Sequence, residues 1–283
     1  MHPEEIEPGR TDKLSLSFNR KFPLSRNDIS SILRVFADNG NIVNDTILGE
    51  PKRQAMSQYC ERAGLTSDKH PTPFGLEALY QDPTLSRLES QWIMHYFLAA
   101  PWRYTPNFWS ELTSSVLLLN SSFSGLQVQE QINQFAIREV DTIFAEDTLK
   151  AAATAFLGTY ARKDGLYALG IFPAKNENGI EKEQTGSYQM RQPHPIPPRA
   201  FACILADYWQ EHYRDRPEVP IAELSQGLLP QLLLLSEPSF NGLLAELAAP
   251  DLALVRRQRH FTPYTITRLW DDPASLWATL YTA

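Results

Sequence analysis

The sequence predicts a mainly α-helical protein with small β-hairpins, an α+β fold in which winged helix-turn-helix modules repeat around a helical core. Three observations support this prediction. Apolar residues recur at helical spacing through most of the 283-residue chain. Near the N-terminus, short helices, a glycine turn and a further helix follow one another in the order of a winged helix. A motif from this region then returns near the C-terminus.

The returning motif is His-x-Thr-Pro-aromatic followed by Leu-aromatic-x-Asp-Pro. It occurs in residues 70–83 and, in the same register, in residues 260–273. A duplicated small module has this signature. The alternative is chance recurrence of two common helix-start signals, Thr-Pro and Asp-Pro. The copies also differ in propensity, because residues 264–267 favour a strand whereas residues 74–79 favour a helix.

The order of polar, helical and strand-like stretches divides the chain into five predicted segments. They are a disordered tail (1–13), an N-terminal winged-helix module (14–82), a helical core segment (83–122), a second winged-helix-like module (123–215) and a C-terminal helical and wing module (216–283). The whole chain is long enough to bury a sizeable core.

Three helices are predicted in the N-terminal module. Ser25 caps the first, which runs to about Phe36, and a short second helix covers residues 42–48. Pro51 starts a third helix, which ends before Gly64. The third helix occupies the place of a recognition helix, and the loop after it occupies the place of a wing.

Tryptophan-rich helices and two hairpins are predicted beyond this module. Residues 83–119 carry aromatic side chains at helical spacing and predict a helical core or a dimer layer. Residues 221–249 also predict helix. Alternating stretches predict two hairpins. Their strands are 166–172 with 187–191, and 252–255 with 264–267.

Composition predicts a cytoplasmic protein. No stretch approaches the roughly 18 uncharged apolar residues of a membrane span, and the N-terminus lacks an apolar signal region. Cys60 and Cys203 are isolated, which excludes a zinc site built on paired cysteines and favours a reducing compartment. The net charge of −7 argues against strong non-specific binding of nucleic acid, so local basic clusters must supply any DNA contact.

The predicted third helix presents polar and basic side chains near its N-terminal half: Lys52, Arg53, Gln54, Ser57 and Gln58. These residue types contact phosphates and base edges when a recognition helix enters the major groove. The alternative interpretation is the solvated polar face of an ordinary amphipathic helix.

A second basic cluster is predicted between the two strands of the last hairpin. Arg256, Arg257 and Arg259 would lie at a wing tip, where they can hold the DNA backbone or enter a minor groove. Lys150 is predicted to make a similar contact in the middle module. The alternative for the three arginines is a solvated turn.

Four acidic residues form the best predicted site for a divalent metal at a phosphodiester: Glu139, Asp141, Glu146 and Asp147. Carboxylates bind Mg²⁺ or Mn²⁺, and either ion can assist phosphodiester cleavage. The alternative is that these residues cap helices. The sequence contains no Ser/His/Asp set, Walker loop or dinucleotide fingerprint.

Short motifs spread over most of the chain resemble a bacterial domain-of-unknown-function family, the one numbered four thousand and seven. They lie in residues 18–24, 47–52, 63–65, 72–75, 79–85, 92–96, 147–150, 156–160, 197–201 and 207–209. Many members begin with Arg-His-Glu-Thr-Phe and a further Arg. This chain departs from that pattern, because Lys21 stands between Arg20 and Phe22 and neither the His nor the Glu is present.

Members of this family are similar to the DNA-nicking component of single-strand DNA phosphorothioation systems. The resemblance therefore implies a role in placing sulfur in the DNA backbone, or in related antiphage defence. It also implies three protein partners, namely a phosphoadenosine-phosphosulfate-reductase-like sulfurtransferase, a cysteine desulfurase and an ATPase.

The leading hypothesis is accordingly a DNA-binding component of such a system, which in its enzymatic form is a metal-dependent DNA nickase. A second hypothesis is a non-enzymatic scaffold that docks the sulfurtransferase or the ATPase through the tryptophan-rich helices, which would also form a homodimer. A third is a winged-helix transcription regulator.

Overall fold

Helices dominate the fold, and three small antiparallel sheets complete it, so the α+β class is confirmed. The computed structural model describes residues 16, 18–117, 122–172, 187–258 and 262–282. The helices are α1 (Arg26–Ala37), α2 (Glu50–Arg62), α3 (Pro73–Gln81), α4 (Leu88–Ala99), α5 (Phe108–Ser115), α6 (Gly125–Val140), α7 (Glu146–Ala161), α8 (Pro198–His212), α9 (Ile221–Ser225), α10 (Leu228–Leu232), α11 (Glu237–Leu247) and α12 (Ala274–Trp277). The strands are β1 (Thr66–Ser67), β2 (His70–Pro71), β3 (Ser122–Ser124), β4 (Ser187–Gln189), β5 (Glu218–Pro220), β6 (Val255–Gln258) and β7 (Thr265–Arg268).

Each sheet joins strands that lie next to one another in antiparallel pairs. β1 pairs with β2, β3 pairs with β4, and β7 lies between β5 and β6. In the three-stranded sheet Ile266 is opposite Val219 on one side and Arg257 on the other. No helix in the described part of the chain is long and apolar enough to cross a membrane.

Helix α4 lies at the centre of the hydrophobic core. Every residue from 90 to 99 is buried, on all faces of the helix. A helix that is apolar all round can be stable only when protein surrounds it. Helices α5 and α8 and a 3₁₀ turn at Tyr167–Leu169 pack against it. The predicted helical core is therefore confirmed.

The tryptophan-rich helices form this core and not a surface layer. Trp92 of α4 and Trp109 of α5 are each 1% exposed. A dimer layer or a docking surface needs accessible side chains, which Trp92 and Trp109 do not offer.

Polar side chains on α4 bond to other elements, because a buried polar group without a partner is costly. The Ser90 hydroxyl lies 2.7 Å from Asp82 Oδ2 and 2.6 Å from the Tyr281 hydroxyl. The Gln91 amide oxygen accepts from the backbone N–H of Ala168 at 3.1 Å. The core helix is thereby tied to the C-terminus and to the turn that follows α7.

His95 joins α4 to three further elements. Its Nε2 lies 2.7 Å from the carbonyl oxygen of Leu232 in α10, so Nε2 carries the proton. Nδ1 then accepts from the Tyr160 hydroxyl of α7 at 2.8 Å, and that hydroxyl accepts from Trp109 Nε1 at 2.8 Å. Burial lowers the pKa of His95 to about 4, partly offset by its hydrogen bond to Leu232. The imidazole is neutral and fully bonded.

The helices predicted from Ser25 and from Pro51 are present as α1 and α2. The prediction of a helix over residues 42–48 is wrong. Turns replace it. The Asn41 side chain accepts from the backbone N–H of Val43, and Asp45 accepts from the backbone N–H of Asn41. Such local bonds from Asn and Asp compete with helix formation.

The structure does not confirm repeated winged-helix modules. In the first motif copy the Thr72 hydroxyl accepts from the N–H of Gly75 and caps α3. In the second copy the equivalent stretch is strand β7, whose β-branched residues pair with two neighbouring strands. Residues 259–261 of that copy lie outside the described residues. The shared letters therefore have different conformations, in agreement with chance recurrence of capping signals.

The predicted hairpin between residues 166–172 and 187–191 is also wrong. The first stretch forms the 3₁₀ turn, and Gly170 follows with a positive φ of 70°, which ends any extended run. Strand β4 pairs instead with β3. The final hairpin is present, shifted by one to three residues, as β6 and β7.

Residues 221–249 form three helices where the sequence predicts continuous helix. Gly227 separates the first two. A positive φ of 54° at Leu234 and the cap at Ser236 then separate α10 from α11. An apolar pattern at helical spacing does not reveal such breaks.

We predict that Tyr160→Phe destabilises the protein by about 2–4 kcal/mol, because Trp109 Nε1 loses its acceptor and His95 Nδ1 loses its donor. Urea unfolding monitored by circular dichroism measures the change. Tyr80→Phe is the matched control, since Tyr80 is 77% exposed and should change the free energy of unfolding by less than about 0.5 kcal/mol. Equal effects of the two substitutions would contradict the network.

We also predict that acid destabilises the fold through His95. Between the unfolded pKa of about 6.5 and the folded pKa of about 4, the unfolded chain binds a proton that the folded protein excludes. The free energy of unfolding should therefore fall as the pH drops, by about 2 kcal/mol from this group between pH 7.5 and pH 5. Urea unfolding at pH 7.5 and at pH 5 measures this change. In His95→Gln the free energy of unfolding should lose the part of its pH dependence that comes from His95. An unchanged pH dependence would show that His95 is not the excluded proton site.

Candidate nucleic-acid interface

The two predicted cations at the start of α2 are engaged within the protein. Lys52 Nζ forms an ion pair with Asp28 Oδ2 of α1 at 2.6 Å, and 39% of the lysine side chain stays exposed. Arg53 Nη1 donates to the Leu48 carbonyl oxygen at 3.0 Å. Both side chains therefore hold α2 against its surroundings, and each reaches solvent only in part.

The rest of the exposed face of α2 is polar and includes carboxylates. Gln54 Nε2 donates to Glu50 Oε1 at 3.0 Å, and Ser57 is half-buried. Gln58 and Glu61 are exposed. The predicted residues do share one helix, but its outer face has no excess of positive charge.

Two of the arginines predicted at a wing tip, Arg256 and Arg257, lie within strand β6 and not in a turn. Sheet pairing sets their positions, with Arg256 opposite Thr267 of β7. Arg256 is exposed, whereas Arg257 is half-buried and donates to the Asn241 carbonyl oxygen at 3.4 Å. Arg259 lies outside the described residues.

The four predicted acidic residues lie at the end of α6 and the start of α7. Glu139 accepts from Arg138 Nε at 2.9 Å, and Asp141 has a left-handed conformation after the last turn of α6. Glu146 and Asp147 occupy the first turn of α7, where the helix dipole favours negative charge. Among the described residues there is no group of three or more His, Cys, Asp or Glu side chains that could hold a metal ion.

The predicted DNA contact at Lys150 falls on the same helix. Lys150 is exposed in the second turn of α7. Its neighbour Leu149 packs into the core, which fixes the direction of the helix and leaves the ammonium group in solvent.

A cleft at the C-terminal end of α2 brings together side chains that sequence inspection did not select. We call it the arginine cleft, and its volume is about 260 Å³. The Arg62 guanidinium lies between two aromatic rings, 4.3 Å from the centroid of Phe18 and 4.3 Å from that of Tyr104. Such stacking holds the plane of a guanidinium in place.

A second arginine enters the cleft from the loop after α4. The Arg103 guanidinium lies 5.0 Å from the ring centroid of Phe97 and forms an ion pair with Asp207 of α8. The Tyr96 hydroxyl donates to the same carboxylate at 2.7 Å. Burial and the negative charge of Asp207 raise the pKa of Tyr96 well above its ordinary value, so the phenol keeps its proton.

Aromatic rings from three helices form another wall of the cleft. Phe97 stacks on Trp277 at 6.3 Å and on Phe74 at 6.4 Å between ring centroids. Gly64 has a φ of 76°, and a side chain there would overlap the ring of Phe97. The glycine that ends α2 is therefore required both by the turn and by the close approach of an aromatic wall.

Sequence reasoning missed the cleft because its residues are distant in the chain. Arg62, Arg103 and Asp207 lie on three different segments, and none belongs to a basic run. The only usable signal was that Arg62 ends the helix selected for DNA binding. The fold of the chain around α4 is needed to show that the two arginines meet.

Comparison with known proteins gives a clear answer for the fold. Neither the family models nor the curated proteins include a match to this sequence. Two solved structures match, with the titles "SspB crystal structure" and "Magnesium ion-bound SspB crystal structure". Each aligns with a TM-score of 0.72 at 14% identity, over 93% of this chain and 86% of the other. The chain has the fold of SspB.

We predict that replacing the four acidic residues at the end of α6 and the start of α7 with their amides changes neither the binding of divalent metal ions nor any metal-dependent DNA nicking. The variant E139Q/D141N/E146Q/D147N should give the same Mn²⁺ isotherm in calorimetry as the unaltered protein, because these carboxylates do not converge. With supercoiled plasmid and Mg²⁺ or Mn²⁺, any relaxed circles that the unaltered protein produces should form equally with the variant. If the variant loses Mn²⁺ binding or nicking that the unaltered protein shows, these four residues do bind the metal.

Proposed function

We propose that this protein binds DNA as a component of a bacterial DNA phosphorothioate modification or antiphage defence system. Two likenesses support this proposal. The SspB fold extends over 93% of the chain, and the sequence motifs resemble a family similar to the DNA-nicking component of such systems. The sulfurtransferase, cysteine desulfurase and ATPase of that apparatus are the proposed protein partners.

The arginine cleft is the proposed contact for unpaired DNA. Proteins that bind single-stranded DNA combine positive charge for the phosphates with aromatic and guanidinium planes for the bases. Arg62 and Arg103 provide the positive charge, and Tyr104 and Phe97 provide the rings. Glu61 and Asp207 also line the cleft, so its lining carries charges of both signs.

Helix α2 leads directly into this cleft and extends the proposed contact. Gln54, Ser57 and Gln58 can bond to phosphates or base edges, with Lys52 and Arg53 beside them. Arg256 and Arg257 on β6, together with Lys150 on α7, are proposed as further phosphate contacts.

Nicking of the bound strand is the enzymatic extension of this proposal. One of the matching structures is titled as magnesium-bound SspB. In this chain the four acidic residues singled out from the sequence do not meet, so a magnesium or manganese ion is not assigned to them.

We predict that Arg62→Gln and Arg103→Gln each weaken binding of a fluorescein-labelled single-stranded oligonucleotide by about 3- to 30-fold. Each loses one phosphate contact, so the slope of log K against log salt should become shallower by about 0.7. Fluorescence anisotropy between 50 and 200 mM NaCl, roughly the range over which such contacts titrate, measures both quantities.

Arg138→Gln is the matched control for this experiment. Arg138 is also an ion-paired arginine, bonded to Glu111 on α5, but it lies on α6 and outside the cleft. Its removal should leave affinity and salt slope unchanged. If none of the three substitutions changes the affinity for the oligonucleotide, the cleft is not the contact. If only Lys52→Glu/Arg53→Glu lowers the affinity and the salt slope, the contact lies at the start of α2.

A further inference from the structure

A second cavity lies beside α4, between α11 and the proline-containing segment before α8. Its volume is about 270 Å³. We call it the Trp92 cavity. It is lined by Trp92, Gln192, Pro193, His194, Pro195, Ile196, Leu233, Leu234, Leu235, Ser236, Ser239, Gly242, Leu243 and Glu246. None of these residues lines the arginine cleft, so the two sites are separate.

The indole of Trp92 carries a hydrogen-bond donor with no acceptor. The side chain is 1% exposed, and among the described residues nothing accepts from its Nε1. Other polar side chains of α4, at Ser90, Gln91 and His95, all have partners. A buried donor without an acceptor costs about 1–3 kcal/mol. On α4 this unsatisfied donor belongs to Trp92, the one side chain of the helix that borders the cavity.

A glycine in the middle of α11 lines the cavity at an exposed position. Gly242 is an interior helical residue, where glycine is about 1 kcal/mol less favourable than alanine. Its φ is not positive, and a Cβ placed there would meet nothing within 4 Å. Neither the backbone nor crowding therefore requires glycine at this position. Because Gly242 has no side chain, it leaves space at the exposed edge of the cavity, which we call its mouth.

The walls of the cavity are apolar. Leu233 and Leu243 are buried in the core, and Leu234 is 8% exposed. Leu234 has a φ of 54°, a conformation that leucine rarely adopts. With this bend, three successive leucines, Leu233, Leu234 and Leu235, all line the cavity.

Charge at the cavity disfavours anions. Its described lining contains no lysine or arginine, and it contains the carboxylate of Glu246. His194 Nδ1 donates to the Ala168 carbonyl oxygen at 2.8 Å. Phosphate groups, and hence the DNA backbone, do not match this chemistry.

We propose that the Trp92 cavity binds a small uncharged ring molecule whose hydrogen-bond acceptor meets Trp92 Nε1. The cavity volume is slightly below the range of about 300–1,000 Å³ typical of small-molecule sites, which matches a ligand of one or two fused rings. Apolar walls with a single buried donor are the usual arrangement of such sites. The binding site is independent of the proposed DNA contact.

Isoquinoline and naphthalene are suitable probes because they share one shape and only isoquinoline has an acceptor nitrogen. Protein labelled with ¹⁵N at the tryptophan indoles is titrated with each probe at pH 7.5, and Trp92→Phe assigns the resonance. The expected result is a saturable downfield shift of the Trp92 indole proton with isoquinoline, at a Kd of roughly 0.1 mM. Naphthalene should bind about tenfold more weakly and without that shift.

Two variants at one position provide the control. Gly242→Leu should fill the mouth and abolish the shift, while Gly242→Ala adds one methyl group and should preserve it. Circular dichroism melting confirms that both variants fold. Absence of a saturable shift in the unaltered protein, or an equal shift in Gly242→Leu, would overturn the proposed site. Equal affinity for the two probes would overturn the role of the Trp92 donor. Gly242→Leu should bind the oligonucleotide with unchanged affinity. A failure of the cavity proposal can therefore be told apart from a failure of the DNA proposal.

Discussion

Complete burial of α4 is the constraint on which the rest of this structure depends. Within an enclosed helix, a polar side chain that is to be satisfied needs a partner in the protein, because water does not reach it, and on α4 only the Trp92 indole donor lacks one among the described residues. Ser90, Gln91, His95 and Tyr96 therefore determine which other elements can lie beside the helix. The C-terminus, the turn after α7, helices α7 and α8 and the end of α10 are each held by one of these bonds. The architecture follows from hydrogen-bond satisfaction around one segment as much as from apolar packing.

The same helix also organises both candidate sites. Its C-terminal end supplies Phe97 and Tyr96, whose hydroxyl donates to the Asp207 carboxylate that pairs with Arg103. Trp92, in its second turn, borders the apolar cavity. Both sites therefore rest on a rigid element, which is what precise placement of a donor or a ring requires. Their chemistries differ sharply, since one contains stacked guanidiniums and the other contains leucines, prolines and an indole.

Much of the fold could be predicted from the sequence where local signals were strong. Pro51 and Gly64 defined α2 correctly, and the all-apolar spacing around Trp92 indicated a core helix. The predictions failed where a partner distant in the chain decided the outcome. Residues 187–189 pair with β3 and not with the alternating stretch before them, and Arg256 lies in a strand because β7 is beside it. For the candidate site, the helix was identified but the arginine cleft was not, since its two arginines meet only through the packing of α4 and α8.

The position of Arg62 between Phe18 and Tyr104 has a consequence for how related sequences should vary. A flat, delocalised cation fits between two rings, whereas the compact ammonium of lysine does not fill that space. Homologues that keep this sandwich should therefore retain arginine at position 62 even where charge alone would permit lysine. The lysine at position 52, paired only through its charge to Asp28, should tolerate exchange far more readily.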